Sequence, residues 1–259
     1  MKKRRLFHFV VSLLITGSTL GLGSCGIEDY PYLDPVDSGI PLRLNTTAFI
    51  RLPDFSGNIY FRTFVIYYRI YISGLSIPGT VSTSQMYQIN SSLTSDYNAM
   101  LSYTDTSSTT TAPSNMGSVF SNRRYYTLAL ENASIDNVLG SAGGGVITLD
   151  FADTSGRPSL IIGDTRMPSN NPYARYRLFR YSESGFMRPY ADNRYFVNSN
   201  DINNGAYINT ATYTNLDVQY NSASGYTYVS MYILAYGVDS NFSNIYSTPT
   251  FIGVFRLPD

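Results

Sequence analysis

The chain has 259 residues, and its 18 basic and 18 acidic side chains give a formal net charge of +0 at pH 7. This balance argues against a nucleic-acid partner, because nucleic-acid-binding domains are basic. The only histidine is His8 and the only cysteine is Cys25. The residues after Cys25 therefore cannot form a Ser-His-Asp triad, a Cys-His pair or a His or Cys metal site, and we expect no metal and no cofactor.

The N-terminus has the features of a secretory signal peptide. Four basic residues at positions 2–5 precede a mostly apolar run over residues 6–15. That run is too short for a permanent membrane-spanning helix, which needs about 20 apolar residues. A basic start, a short apolar core and small residues before a cleavage site are typical of secretory signals. We therefore expect residues 1–24 to be a signal peptide that is removed.

The signal peptide ends in Leu22-Gly23-Ser24-Cys25. An aliphatic residue, two small residues and a cysteine resemble the lipobox of bacterial lipoproteins. The resemblance implies that the Cys25 sulfur receives a diacylglycerol, that the chain is cut before Cys25 and that the new amine is acylated. Two or more acyl chains anchor a protein stably, since each buried CH₂ contributes about 0.8 kcal/mol.

This resemblance predicts a cell-envelope lipoprotein that is held in membrane lipid through Cys25, on the periplasmic side or at the cell surface. The alternative is an ordinary secretory signal with a chance cysteine at the cut. Residues 2–5 hold four of the 18 basic side chains, so the mature chain keeps 14 basic and 18 acidic residues. It also keeps all 24 tyrosines, and its cations are all arginines.

The segment that follows the lipidated cysteine is predicted to be a flexible tether, spanning residues 25–42. Residues 26–41 contain three prolines and four acidic residues, a composition that favours extended backbone. The alternative is that Tyr30, Tyr32 and Leu33 dock onto the folded part. We expect residues 43–259 to form a single β-sandwich-like domain.

Two stretches alternate as strands that pack on a core. Residues 61–73 place five apolar residues on one face: Phe64, Ile66, Tyr68, Ile70 and Ile72. Residues 226–236 do the same with Val229, Met231, Ile233 and Ala235. Shorter strands are predicted over residues 47–52, 125–130, 146–151, 159–162, 173–181, 194–197 and 250–257.

One helix is predicted over residues 82–103, where apolar residues recur at intervals of three and four. Ser82 and Gln85 have the spacing of a capping box. The segment is rich in Ser and Asn, so it needs tertiary packing to be stable.

Many short strands and a single helix point to a two-sheet architecture. Residues 228–258 resemble the final two strands of a fibronectin type III or immunoglobulin-like domain, with a Tyr-rich strand ending in Ala235-Tyr236-Gly237. Residues 64–73 would be the inner strand beside them. The predicted fold class is therefore mainly β, an immunoglobulin-like β-sandwich with one helical insertion. The chain also resembles uncharacterised spirochaete-type surface lipoproteins, a likeness that implies no function.

Two candidate binding surfaces follow from this arrangement. The first is a tyrosine face suited to sugar rings or peptides: Tyr67, Arg69, Tyr71, Tyr228, Tyr232 and Tyr236. We favour the alternative that the helix covers this face or that the tyrosines form cross-strand pairs. The second is an anion-binding cluster of Arg175, Arg177 and Arg180. Its favoured alternative is pairing with nearby acids, namely Asp164, Glu183 and Asp192.

The expected function is non-catalytic. We expect a binding or structural protein of the cell envelope that contacts a protein partner. One alternative is a carbohydrate-binding module that uses an exposed tyrosine face. Another is a hydrolase that relies on Asp or Glu, for which no spacing in the sequence selects a pair of carboxylates.

Overall fold

A computed structural model of the chain describes residues 32–36, 42–44, 46–103, 115–130, 133–141, 144–151, 158–163, 174–179, 217–220 and 226–257. The predicted signal peptide, Cys25, Arg180 and the predicted strand 194–197 lie outside these residues. Four helices occur in the described ranges, α1 (Thr83–Ile89), α2 (Ser91–Leu101), α3 (Met116–Asn122) and α4 (Ile135–Gly140). None of them is long and apolar enough to cross a membrane.

The described part of the chain is mainly β, as predicted. Its strands are β1 (Leu42–Leu44), β2 (Thr47–Arg51), β3 (Phe61–Ser73), β4 (Tyr126–Thr127), β5 (Ala129–Leu130), β6 (Val146–Asp150), β7 (Ser159–Ile162), β8 (Arg175–Phe179), β9 (Val218–Tyr220), β10 (Tyr226–Val238), β11 (Asn244–Tyr246) and β12 (Thr250–Arg256).

These strands form two sheets. The first sheet has the order β1-β2-β6-β7-β8-β5, and all of its pairs are antiparallel. The second sheet is built around β3 and β10, with β11 and β12 beside β10 and with β4 and β9 beside β3. Only the short pair β3–β9 is parallel among the described pairs.

The long strands β3 and β10 are the centre of the molecule. They pair antiparallel over almost their whole length, from Tyr226 opposite Ser73 to Gly237 opposite Phe61. The five apolar residues predicted for one face of β3 all lie in the main core, together with those predicted for β10. The predicted alternation of both strands is therefore confirmed.

The main core lies between the two sheets, because one cluster of buried side chains takes residues from both. The first sheet contributes Ile50, Ile147, Leu149, Leu160 and Leu178 among others. Full burial of an apolar side chain of this size contributes about 1.5–3 kcal/mol relative to exposure. The two sheets thus stabilise each other chiefly through apolar contact.

The opposite face of the second sheet is covered by helices. Met86, Ile89 and Leu93 of the α1–α2 region form one cluster with Tyr71 and Tyr228. A further cluster joins α2 and α3 to the same sheet through Met100, Met116, Phe120, Tyr67 and Tyr232. As a result β3 and β10 are buried on both faces over most of their length, and ten of the 13 residues in each strand are buried.

The single predicted helix is in fact two helices. Asn90 interrupts it with an extended backbone (φ −165°, ψ 129°), and its side-chain oxygen accepts a hydrogen bond from the Ser92 N–H at 2.9 Å. Asn at such a position caps the following helix. At the start of α1 the Gln85 side chain accepts the Ser82 N–H at 2.9 Å, as the capping box requires. The helices α3 and α4 were not predicted at all, so the prediction of a single helical insertion was wrong.

The predicted strand 125–130 is divided between the sheets. Its first part, β4, pairs with β3, whereas its second part, β5, pairs with β8 of the first sheet. The buried residue Leu128 lies at the crossing, and its N–H donates to the Ile66 carbonyl at 2.8 Å. This segment therefore ties the two sheets together.

Part of the predicted tether is folded. Leu33 and Val36 are buried in the main core, and the Thr250 hydroxyl donates to the Val36 carbonyl at 2.9 Å. Tyr32 is 53% exposed, although its carbonyl accepts the Asn58 side-chain amide. The prediction of a flexible tether was thus wrong for residues 32–36. The stated alternative, docking onto the folded part, describes Leu33.

Gly237→Ala tests the close approach between β10 and the segment before β3. A Cβ at this position would lie 2.3 Å from the Tyr60 carbonyl oxygen, which accepts the Val238 N–H at 3.0 Å. We expect a loss of about 1–3 kcal/mol in the free energy of unfolding, measured by urea denaturation, because the backbone must shift.

The matched control is Gly117→Ala in α3. Its Cβ would meet first the Tyr246 hydroxyl, at 3.1 Å, which is the far end of a half-buried side chain and not backbone. Alanine also favours the helix, so we expect a change within about 0.5 kcal/mol. Equal losses for both variants would contradict the steric argument.

Candidate functional site

The predicted tyrosine face exists as a continuous surface of the second sheet. Tyr67 lies opposite Tyr232, and Tyr71 lies opposite Tyr228. Arg69, between the two β3 tyrosines, lies opposite a serine. The two strands are therefore neighbours, as the resemblance implied, and their register brings these side chains to one face.

This face is buried rather than exposed. Tyr71 and Tyr228 are 0% exposed, Tyr232 is 2%, Arg69 is 6% and Tyr67 is 7%. Of the six predicted residues only Tyr236 is partly accessible. The helices that pack on this face exclude solvent from it, so the hypothesis of an exposed tyrosine surface was wrong and its stated alternative describes the arrangement.

The aromatic rings of this face pack against one another and against the helices. Tyr67 stacks on Phe120 of α3, with ring centroids 4.2 Å apart and planes 6° apart. Tyr232 meets Tyr125 edge-on at 5.5 Å. Such ring pairs add about 0.5–1.5 kcal/mol each beyond the area they bury. The rings therefore stabilise the contact between the helices and the sheet.

The polar centre of the same contact is the Asp96 carboxylate, which α2 brings onto the sheet. Arg69 Nη1 lies 2.5 Å from Asp96 Oδ2, and the Tyr71 hydroxyl donates to the same oxygen at 2.8 Å. Arg123, which follows α3, donates to Asp96 Oδ1 at 3.0 Å. Asp96 is only 5% exposed, so both of its oxygens are bound inside the protein.

Arg69 extends this cluster to a third element. Its Nη2 donates to Gln219 Oε1 of β9 at 2.8 Å, and its guanidinium carbon lies 5.3 Å from the centre of the Tyr71 ring. Its Nε is buried and has no hydrogen-bond partner among the described residues. One guanidinium thus connects β3, α2 and β9.

The phenol groups continue the network into the sheet. The Tyr71 and Tyr125 hydroxyls lie 3.2 Å apart, and the Tyr125 hydroxyl donates to Ser230 Oγ at 3.1 Å. Burial, followed by the nearby Asp96 charge, raises the pKa of Tyr125 to about 12. Burial also raises the pKa of Tyr71 well above its ordinary value, and repulsion from the Tyr125 phenol adds to this.

Tyr232 lies beside this network. Its buried hydroxyl has no hydrogen-bond partner among the described residues, and burial raises its pKa well above the ordinary value.

The arrangement is suited to holding structure. A buried carboxylate needs cations and donors to offset its desolvation, and here two arginines and one phenol supply them. Because both Asp96 oxygens accept charge-assisted hydrogen bonds, the carboxylate stabilises the helix–sheet contact and has no oxygen left for a ligand. We call the set Arg69, Tyr71, Asp96, Arg123 and Tyr125 the buried ionic cluster.

The predicted anion-binding cluster is only partly described. Arg175 and Arg177 lie two residues apart on β8, and Arg180 falls outside the described residues. Arg175 Nη2 lies 3.6 Å from Asp150 Oδ2, and its Nη1 donates to Ser159 Oγ at 2.9 Å. Arg175 is therefore paired within the first sheet, with an acid that was not among the predicted partners. Anion binding stays a prediction.

The described ranges contain no group of three or more His, Cys, Asp or Glu placed to hold a metal ion. No protein family, curated protein or solved structure matches the chain.

Asp96→Asn tests the buried ionic cluster. The amide keeps the size of the side chain but removes the charge, which leaves the buried Arg69 without its anion. We expect the free energy of unfolding to fall by about 3–5 kcal/mol, measured by urea denaturation with circular dichroism. Asp34→Asn is the control, because Asp34 is exposed, and it should change stability by less than about 0.5 kcal/mol. Similar effects of the two substitutions would contradict the assignment.

Alkaline pH should destabilise the fold through the buried phenols. A phenol whose pKa is higher in the folded than in the unfolded chain keeps its proton in the folded state at pH values where the unfolded chain has already lost it. Its stabilising effect is complete below the unfolded pKa near 10 and is lost as pH rises through the folded value, which is about 12 for Tyr125. Each such group lowers the free energy of unfolding by up to about 1.4 kcal/mol per pH unit in this window.

The measurement is a series of urea denaturations between about pH 8 and pH 11.5, with phenolate absorbance recorded in parallel. Tyr125→Phe should make the decline above pH 10 less steep, whereas Tyr87→Phe, at a side chain that is 70% exposed, should leave it unchanged. Constant stability across this range would refute the shifted pKa values.

Proposed function

We propose that the chain is a lipid-anchored cell-envelope protein of binding or structural type, which contacts a protein partner and does not transform a substrate. The observation that carries the proposal is Leu22-Gly23-Ser24-Cys25, placed directly after a basic and then apolar N-terminus. Acyl chains on Cys25 would hold the protein at a membrane surface.

The start of the folded part supports this anchoring. Leu33 and Val36 are buried in the main core, so the domain is secured to the chain close behind the lipobox. Seven residues lead from Cys25 to Tyr32, and a fully extended chain of that length spans at most about 25 Å. An anchor at Cys25 would therefore keep the domain next to the lipid surface.

The proposed fold type is an immunoglobulin-like sandwich that carries an added helix layer. The neighbouring order β3-β10-β12 supports it, since the sequence resemblance expects an inner strand beside the last two strands. The helices over the second sheet and the parallel strand β9 are departures from that pattern.

A binding or structural role agrees with where the chemically active side chains lie. The tyrosines that would stack on a sugar are buried, and the Asp96 carboxylate is bound on both oxygens. The described tyrosines and arginines of the second sheet thus contribute to a rigid support. A protein partner would bind to other surfaces of the domain.

Cys25→Ser tests the anchor. The serine hydroxyl cannot form the thioether, so we expect incorporation of labelled fatty acid into the protein to be lost and the protein to leave the membrane fraction. Ser24→Ala is the matched control, because the resemblance requires only a small residue there, and it should be labelled as the native chain is. Unchanged labelling of the Cys25→Ser protein would refute the lipoprotein assignment.

Binding is tested with the soluble chain that begins at Gly26. We expect chemical crosslinking in envelope extract to trap one defined protein, and a glycan array to show no binding. Specific binding to a glycan, or turnover of a glycan or peptide substrate, would contradict the proposed role.

A further inference from the structure

Three large apolar side chains are exposed at one end of the second sheet. Phe242 is 89% exposed, Ile59 is 75% and Tyr32 is 53%. Single exposed apolar residues are ordinary on a protein surface, but a group at one end can mark an interaction site. We call these three residues the apolar tip.

Backbone contacts place the three residues together. Phe61 pairs with Gly237, so the start of β3 lies beside the end of β10. The Val238 N–H donates to the Tyr60 carbonyl at 3.0 Å, which puts Ile59 next to the loop that carries Phe242.

Asn58 places Tyr32, the third residue of the apolar tip, at the same end of the second sheet. Its side-chain amide donates to the Tyr32 carbonyl at 3.3 Å, and its Oδ1 accepts the Tyr60 N–H at 3.0 Å.

The loop that carries Phe242 is ordered by its own hydrogen bonds. Asp239 Oδ1 accepts the N–H groups of Asn241 and Ser243, both at 2.8 Å. The Phe242 N–H donates to the Asp239 carbonyl at 3.1 Å. Phe242 itself has a φ of 61°, in the left-handed region that a bulky residue rarely adopts. A strained backbone therefore holds a phenyl ring almost fully in solvent.

We propose that the apolar tip inserts into the interface of the lipid bilayer that carries the Cys25 anchor. The inference rests on the proposed function, because the lipid on Cys25 defines the membrane. Tyr32 belongs to the tip and is also the first residue that the structure describes, seven residues after Cys25. Chain length thus keeps Tyr32 within about 25 Å of the anchor, while Ile59 and Phe242 supply further apolar surface.

The charges around the tip indicate which kind of membrane contact this is. Asp34 is exposed two residues after Tyr32, and Asp239 closes the Phe242 loop. Arg62 is the exposed cation next to Phe61. Acids in excess oppose attraction to anionic headgroups, so the contact is apolar and does not depend on anionic lipid.

The test uses the full lipidated protein in phosphatidylcholine vesicles. Because Cys25 is the only cysteine and its sulfur carries lipid, Phe242→Cys and Ile59→Cys each introduce the sole free thiol. The thiol is labelled with a polarity-sensitive fluorophore. We expect a blue-shifted emission that spin-labelled lipids quench at least about twofold, as for groups at the headgroup–acyl boundary. Adding anionic lipid should leave the quenching unchanged.

Tyr87→Cys is the matched control. Tyr87 is 70% exposed on α1. The segment before α1 is hydrogen-bonded to the backbone of Val254 and Arg256 in β12. These residues of β12 pair with the first half of β10, whereas the tip lies at the other end of that strand. Its fluorophore should emit as in water and should not be quenched by the lipids. Urea denaturation of each labelled variant verifies that it is folded.

Each other result overturns the proposal. Water-like emission at positions 59 and 242 in a protein that carries labelled fatty acid would refute the membrane contact alone. A blue shift without quenching by lipid would assign the tip to a contact with a second copy of the chain. Quenching that appears only with anionic lipid would show an electrostatic contact. Absence of fatty acid on Cys25 would remove both this inference and the proposed function.

Discussion

Neutralisation of the Asp96 carboxylate is the interaction on which the helix layer depends. A carboxylate taken out of water costs several kcal/mol unless opposite charge and hydrogen bonds replace the lost hydration. Arg69 and Arg123 supply the charge, and Tyr71 supplies a further donor. Because these partners come from β3 and from the residue after α3, the carboxylate fixes two helices at one place on the sheet. Apolar contact alone would allow the helices to slide along the sheet, whereas the hydrogen bonds and ion pairs of Asp96 form in one geometry only.

Tyrosine lets the same sheet be apolar and hydrogen-bonded at once. The rings of Tyr67 and Tyr232 pack as aromatic side chains, while the hydroxyls of Tyr71 and Tyr125 join the ionic cluster. With no tryptophan and a single cysteine in the sequence, its 24 tyrosines are the main large side chains that offer both properties. The cluster could therefore be built without leaving most of its polar groups unpaired.

The sequence predicted the elements whose pattern is long and regular. The alternation in β3 and β10 extends over many residues, and it predicted both strands and their faces, whereas their neighbourhood was implied only by the resemblance of residues 228–258 to the end of an immunoglobulin-like domain. The strand β9 has three residues, too few for any period to appear, and its partner β3 lies far away in sequence. The division of the predicted strand 125–130 into β4 and β5 was missed for the same reasons, since each has two residues and a distant partner. The break at Asn90 was missed because the apolar spacing continues through it. One signal for the ionic cluster was present, since Asp96 stands among the apolar residues of a helix near Leu93 and Met100. Arg69 also lies in the middle of a strand that is otherwise almost free of charge.

The pairing of β3 with β10 has a consequence for the order of events during synthesis. About 150 residues separate the two strands, so β3 is made long before its main partner, and contacts between such distant segments form slowly. Until then β3 is a hydrophobic and aromatic segment with two unpaired edges, the kind of segment that associates with other chains. A protein exported in the unfolded state would meet this hazard in the envelope. Its helices α1 and α2 follow β3 directly and can cover one of its faces early, which would shorten the time for which the strand is exposed.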